Sequence, residues 1–302
     1  MKAVVLDEYG PPSNLHYQEV PTPAAGSNQV LIEVRAAGVN PIDWKMRSGQ
    51  TRDLFPLKFP IILGFDVAGV VSSCGSGVSS FAVGDRVFGR APAAYAEWVA
   101  GDISGLARIP AGVDSTTAAA LPVVVTTADQ LIRRAIQAQK GQTILLTGAL
   151  GSVGRVALFC ALELGVQVIA GVRSSQISEA LELGATRAVD LGNQDDLASL
   201  GPLDAIADCV GGDLGPRLLP LVKPGGVYGS IVGPPRRADQ YPSVRIQAIG
   251  SQPDPEAMVR LATAIGEGRL KFPIGMVLPL ARAAEAHIRG ERGGEGKIVL
   301  TP

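Results

Sequence analysis

A glycine turn caught between a buried strand and a long helix restricts this chain more than any other segment. In QTILLTGALGSVGRVALFCALELG, residues 142–165, the run QTILLTG predicts a buried strand and GSVGRVALFCALELG predicts a helix. Between them lie Gly148, Ala149, Gly151, Ser152, Val153 and Gly154. A strand that turns through glycines straight into a helix suits a phosphate. Gly151 lets the backbone approach a pyrophosphate, and Gly154 permits close packing of helix on strand. The helix start adds free N–H groups at the positive end of its dipole. The pattern departs from G-x-G-x-x-G at one place: the first glycine falls on Ala149, with Gly148 just before it. The flanking strand and helix are the context that gives such a pattern weight. A glycine turn in a parallel sheet with no ligand is the competing reading.

The next strand, VQVIAGV, ends in Arg173-Ser174-Ser175. Chains that bind NAD place a carboxylate about 20 residues after the glycines, where it holds the ribose 2′-OH. Here Arg173 stands 19 residues after Gly154, and no Asp or Glu occurs between Gly165 and Ser178. A guanidinium takes a 2′-phosphate through two parallel hydrogen bonds, and Ser174 adds a donor. The expected cofactor is therefore NADPH rather than NADH. The competing reading is a solvated Arg173 with relaxed specificity.

Around this centre the chain changes character. Residues 1–120 hold short valine-rich runs (KAVVL, VLIEVRAAGV, FDVAGVV, DRVFG, AEWVA) punctuated by Gly, Pro, Asn and Asp, with no long helical period before about residue 115. That predicts an antiparallel barrel or sandwich. Asp114-Ser115-Thr116-Thr117 reads as a helix start, and a Leu/Ile/Ala pattern continues through Leu131–Ala138. Strands and helices then alternate through AVDL, LDAIADCVGG and GVYGSIVG, with a helical stretch at Gly215–Val222, which predicts a parallel sheet. PEAMVRLATAIGEG and ARAAEAHIRG read as helices and GKIVL as a terminal strand. Periodicity does not assign this last part to either half.

Composition narrows the function classes. The chain has 302 residues, about two domains' worth. Its 27 Lys and Arg balance 28 Asp and Glu, so no overall field draws it to nucleic acid or to an anionic membrane. The longest apolar stretch, around Ala118–Val125, is broken by Pro122 and is too short to span a bilayer. Three scattered cysteines and an N-terminus carrying Asp7 and Glu8 fit a cytoplasmic protein.

Five segments in order, AAGVNPIDWKMRSG (36–49), LGFDVAGVV (63–71), VGDRVFG (83–89), TGALGSVGRVA (147–157) and GKIVL (296–300), carry a resemblance that runs nearly end to end. The chain resembles the zinc-independent medium-chain dehydrogenases/reductases of the quinone oxidoreductase branch, which includes zeta-crystallin-like and enone oxidoreductases. The resemblance implies an α/β chain with two domains. A partly open β-barrel (GroES-like) catalytic domain would be formed by residues 1–120 and 254–302. A doubly wound Rossmann domain would occupy 121–253, with the substrate cleft between them. It also implies a homodimer acting on a small quinone or α,β-unsaturated carbonyl. Acyl-thioester enoyl reduction, or a non-catalytic NADPH-binding role, stays open as an alternative.

The same resemblance allows a test for zinc. Zinc-dependent relatives place a cysteine ligand where this chain has Asn40 and a histidine ligand where it has Phe65. An amide and a phenyl ring do not replace thiolate and imidazole, so no metal is expected. The candidate catalytic residues are Asn40, Asp43, Lys45 and Phe65. Asn40 either aims its amide into the cleft or makes a structural hydrogen bond in the barrel. Asp43 either binds or orients, or it caps a turn. Lys45, where many relatives carry Tyr, either donates to a developing enolate or is simply exposed. Trp44, Tyr95 and Trp98 line a cleft or belong to the core. For the cofactor, the resemblance adds Thr127, then Val210 and Gly211 after one strand, and Val232 and Gly233 after another.

Overall fold

Gln29–Val39 is the strand on which the first half of the chain is built. Its side chains alternate between buried and less buried positions before becoming wholly buried at the C-terminal end, as expected for a strand that starts at a surface and ends in a core. In the computed structural model, which describes residues 1–294 and 296–302, this strand pairs antiparallel with Asp66–Cys74 and Trp98–Asp102. Asp66–Cys74 pairs in turn with Arg86–Arg90, and that strand with Leu106–Arg108. The terminal strand Lys297–Thr301 joins the other end of Gln29–Val39 with Val299 opposite Gly38, and it carries Ile274–Pro279 parallel on its far side. A second, three-stranded sheet holds Leu15–Glu19, Lys2–Leu6 and Ile61–Ile62. Val4, Leu6, Val30, Ile32, Val67, Tyr95 and Leu300 belong to one buried apolar cluster.

The chain divides into two units: Met1–Val123 with Pro253–Pro302, and Val124–Gln252. The C-terminal return that periodicity left unassigned belongs to the first unit.

In the second unit six strands form one wholly parallel sheet. Its order is Arg187–Asp190, Gln167–Val172, Thr143–Thr147, Leu203–Asp208, Val222–Ser230 and Arg245–Ala248. In sequence order this is third, second, first, fourth, fifth, sixth: the doubly wound arrangement whose ligand crevice opens at the C-terminal ends of the first and fourth strands. The first strand is central, and Ile144, Leu145 and Leu146 are fully buried. Such burial explains its unbroken apolar run.

Two elements differ from the sequence reading. A helix, Pro41–Arg47, lies in the stretch expected to be free of helix. Seven residues are too few to display a 3.6-residue period, but the local chemistry is complete. Pro41 occupies the first turn, Asn40 is the extended N-cap, and Asp43 accepts from the Asn40 backbone N–H at 2.8 Å. The pattern through Leu131–Ala138 is also not plain α-helix. The helix Pro122–Gln130 widens into a π turn at Leu131–Ala135, where Ile136 N–H reaches back to Leu131 O.

Candidate functional site

At the end of Thr143–Thr147 the backbone enters the left-handed region at Gly148, φ +62°, a conformation that costs glycine nothing. Ala149, the departure from the glycine pattern, is fully buried and donates its N–H to Gly171 O at 3.3 Å. Its methyl group is thus part of the core. Gly151 is the extended N-cap of the helix Ser152–Glu163, and no side chain caps that helix. The N–H groups of Ser152 and Val153 at the helix start are therefore available to an anion. Gly154 is fixed by space. A Cβ there would lie 2.0 Å from Gly148 O and 2.8 Å from Ala149 Cα. A Cβ on Gly151 would lie 3.2 Å from Gly148 O, a lesser conflict.

The other strand ends gather at the same turn. A Cβ on Gly148 would meet Val210 Cγ2 at 3.0 Å, and one on Gly211 would meet Val232 Cγ2 at 2.6 Å. Val210 and Val232 are exposed apolar side chains, about half and two-fifths accessible. Gly211 and Gly233 take φ +73° and +103°, and nothing stands within 4 Å of a Cβ at Gly233. Gly148, Gly151, Ser152, Val153, Gly154, Val210, Gly211, Val232 and Gly233 thus lie along the C-terminal edge of one sheet. Thr127 is committed elsewhere: its hydroxyl donates to Ser251 Oγ at 2.9 Å.

A buried carboxylate that the sequence reading missed organises this edge. Asp208, 1% exposed, ends the fourth strand. One oxygen accepts from Thr147 Oγ1 at 2.7 Å and from the Val210 and Gly211 N–H groups at 3.0 Å each. The other accepts from the Tyr228 hydroxyl at 2.9 Å and Ser230 Oγ at 3.3 Å. Thr147 Oγ1 in turn accepts from Cys209 N–H at 2.9 Å. Three neighbouring strands and the Cys209–Gly211 loop are tied to a single side chain. Burial beside Asp208 pushes the Cys209 thiol well up, which keeps it inert.

Arg173 and Ser174 follow Gln167–Val172, and both are exposed. The Arg173 guanidinium makes no ion pair among the described residues. The strand end is not free of carboxylate, however. The register sets Val172 opposite Asp190 of the adjacent strand, and Ser174 Oγ donates to Asp190 Oδ2. No Asp or Glu occurs between Gly165 and Ser178; the sheet supplies one to Ser174 from 16 residues along the chain.

In the first unit the motif residues form a buried polar cluster. Asn40 is 1% exposed; its Nδ2 donates to Asp66 Oδ2 at 2.9 Å and its Oδ1 accepts from Lys297 Nζ at 2.6 Å. Lys297 Nζ also stands 3.6 Å from Asp66 Oδ2, and Val123 N–H donates to Asp66 Oδ1 at 2.9 Å. Asp43, wholly buried, accepts from the Tyr95 hydroxyl at 2.9 Å as well as from Asn40. His287 Nε2 lies 3.4 Å from the same hydroxyl. Asp43 Oδ1 and His287 Nδ1 are buried without a hydrogen-bond partner.

Burial dominates the electrostatics here. It raises the Asp43 carboxyl to about 7 against the hydrogen bonds that oppose it. It also lowers the His287 imidazole to about 3, so this ring is neutral. Burial pushes Asp66 up and Lys297 down, and the attraction between them opposes both shifts.

Asn40 and Asp43 are both buried, Asn40 bonded within the barrel through both amide atoms and Asp43 holding the Asn40 backbone N–H at the helix start, which is the geometry of the structural and capping alternatives. Tyr95 is a core residue. Lys45 and Phe65 are partly accessible. Lys45 makes no side-chain hydrogen bond or ion pair among the described residues, and Phe65 packs on the edge of the apolar cluster.

Comparison with known proteins agrees with this anatomy. Residues 26–134 match the alcohol dehydrogenase GroES-like domain, and residues 183–300 match the zinc-binding dehydrogenase family. A quinone oxidoreductase of Pseudomonas aeruginosa is 32% identical over 329 residues, covering 100% of this chain and 99% of that one. The structure of the quinone oxidoreductase from Coxiella burnetii superposes with a TM-score of 0.90 at 30% identity, over 100% of this chain and 99% of that one. The Escherichia coli quinone oxidoreductase complexed with NADPH gives a TM-score of 0.89 at 26% identity, over 100% of both chains.

Proposed function

The chain belongs to the quinone oxidoreductase family of medium-chain dehydrogenases/reductases, and on that premise we propose that it reduces a small quinone or α,β-unsaturated carbonyl with NADPH and without zinc. The observation that carries the reading is the cradle at Gly148–Gly154. Its close approach leaves no room for a Cβ at Gly154, and it opens onto an uncapped helix start. Those features fit a dinucleotide pyrophosphate. The Ser152 and Val153 N–H groups hold the phosphates, and Gly211 and Gly233 leave room for the ribose and the ring beyond it. The Arg173 guanidinium, in no ion pair among the described residues, takes the 2′-phosphate.

Bound NADPH supplies the hydride. The chain's own part is to bind, orient and stabilise charge. Lys45 Nζ, on a partly accessible residue and without an ion pair among the described residues, is the donor for negative charge developing on the acceptor oxygen. Phe65 offers an apolar surface that keeps water from the acceptor. The residues at the zinc-ligand positions do not fit the metal. Asn40 has its amide bonded at both ends, and the Lys297 ammonium places positive charge 2.6 Å from its oxygen. Phe65 has no ligating atom. Homodimerisation, through the exposed edge strand Arg245–Ala248, and a cytoplasmic location complete the reading. No helix among the described residues is long and apolar enough to cross a membrane.

The test is a pair of titrations with NADPH and NADH on the wild type and on Arg173→Ala. The reading expects NADPH affinity to fall at least tenfold in the variant with NADH affinity unchanged. Equal loss of both, or loss of neither, removes Arg173 from the role.

A further inference from the structure

We propose that Asp190 is a specificity-determining residue that restrains the preference of this site for NADPH over NADH. The proposal rests on the reading of Arg173 as the 2′-phosphate contact. The strand register brings Asp190 level with Val172, and its carboxylate reaches Ser174, the second residue after that strand. Ser174 Oγ donates to Asp190 Oδ2, and Gly192 N–H donates to Asp190 Oδ1 at 2.8 Å. Its backbone is held as well: Asp190 N–H donates to Asp196 Oδ2 at 2.7 Å. The carboxylate is thus a fixed feature of the strand end. The Ser174 hydroxyl and the Gly192 N–H hold it below the usual carboxylate range, so it is ionised at neutral pH.

Two consequences act on a nucleotide at Arg173. The single proton of Ser174 is already given to Asp190, so the hydroxyl cannot donate to a phosphate without giving up that bond. The ionised carboxylate also repels a 2′-phosphate that Arg173 attracts. A ribose 2′-hydroxyl meets the opposite situation, because a carboxylate is a good acceptor for it. Arg173 and Asp190 therefore pull the specificity in opposite directions from adjacent strands, and the wild type accepts NADH as a measurable second cofactor.

The test is direct titration of the full chain with NADPH and with NADH. Asp190→Asn removes the charge, keeps an oxygen for Gly192 N–H, and turns its NH2 toward the Ser174 hydroxyl, which is able to accept. The ratio of NADH to NADPH dissociation constants is expected to rise about tenfold, the order for removing one unit charge beside a phosphate at an accessible site. The rise should shrink as salt is raised from 0.05 M to 0.5 M, in line with ~10 Å screening near 0.1 M. Asp190→Ser, which also lacks the charge, should move the ratio in the same direction. A ratio within twofold of wild type in both variants overturns the proposal. Arg173→Ala, run alongside, separates the two claims. If it selectively weakens NADPH while the Asp190 variants change nothing, the role of Asp190 falls and that of Arg173 stands. If Arg173→Ala is itself without selective effect, the reading beneath the proposal falls.

Discussion

Replacing Asp208 with alanine and with asparagine separates space from charge at one buried carboxylate. Asp208 accepts five hydrogen bonds and is 1% exposed. In Asp208→Ala the Val210 and Gly211 N–H groups lie near the surface and regain water. The Thr147, Tyr228 and Ser230 hydroxyls are fully buried and do not. An orphaned buried polar group costs about 1–3 kcal/mol, so three give roughly 3–6 kcal/mol of lost stability, allowing for hydroxyls that turn to new partners. Asp208→Asn keeps an oxygen for Thr147, Val210 and Gly211 and turns its NH2 toward two hydroxyls that are able to accept. It loses only the assistance of the charge, about 1–2 kcal/mol. Urea unfolding gives both values from the midpoint and slope. NADPH titration of the folded protein reads the second effect: the loop loses its anchor, so alanine should weaken binding at least tenfold and asparagine only a fewfold. An alanine variant within 1 kcal/mol of wild type would show that the carboxylate does not organise this edge.

Three further outcomes follow from the same structure. Gly154→Ala places a methyl group 2.0 Å from Gly148 O; the turn must open, at about 1–3 kcal/mol, and NADPH titration should show binding abolished while the melting curve stays cooperative. Lys297→Met leaves Asp66 buried without its cation and should cost about 3–5 kcal/mol in thermal or urea unfolding, since breaking a buried pair from one side is more harmful than replacing both partners. The third concerns pH. The folded Asp43 carboxyl, at about 7, lies above its ordinary 3.8, so the native state holds the extra proton and stability falls as pH rises from about 4 to 7. His287, at about 3 against an ordinary 6.5, gives the opposite slope: its contribution is lost as pH falls below about 6.5. The two oppose each other between about 4 and 6.5, in the presence of Tyr95, Asp66, Lys297 and, near the imidazole, Arg47. The difference curve of wild type minus Asp43→Asn isolates the first group and should decline across that window; a flat difference would contradict a carboxyl that burial holds above its ordinary range.

What was legible in the sequence was local. The strand, glycine turn and helix at 142–165 occur in consecutive residues, and the sheet buries the strand as its apolar run implied. Asp114 caps its helix through Thr117 N–H at 2.8 Å, again a contact three residues long. What was not legible spans the chain. Lys297 meets Asn40 across 257 residues, and only the pairing of Lys297–Thr301 with Gln29–Val39 brings them together. Asp190 reaches Ser174 through a strand register, which no spacing along one strand reveals. Asp208 lies inside LDAIADC, where a polar residue in an apolar run reads as an interruption until its five donors are seen. Ile274–Pro279 escaped because its glycine and proline mask a strand whose pairing partner is the strand at the chain terminus. Asn40 and Asp43 belong to recognisable motif positions, but a motif does not say which way a side chain turns, and here both turn inward.

The central claim is zinc-free hydride transfer from NADPH to a conjugated acceptor. It is tested most directly by following NADPH absorbance with chelator-treated, metal-free protein, using a small quinone and a 2-alkenal in parallel. The account predicts turnover of at least one acceptor with NADPH, undiminished by chelation and unchanged when zinc is added back. Activity that disappears on chelation and returns with zinc would contradict it, as would tight NADPH binding with neither acceptor reduced.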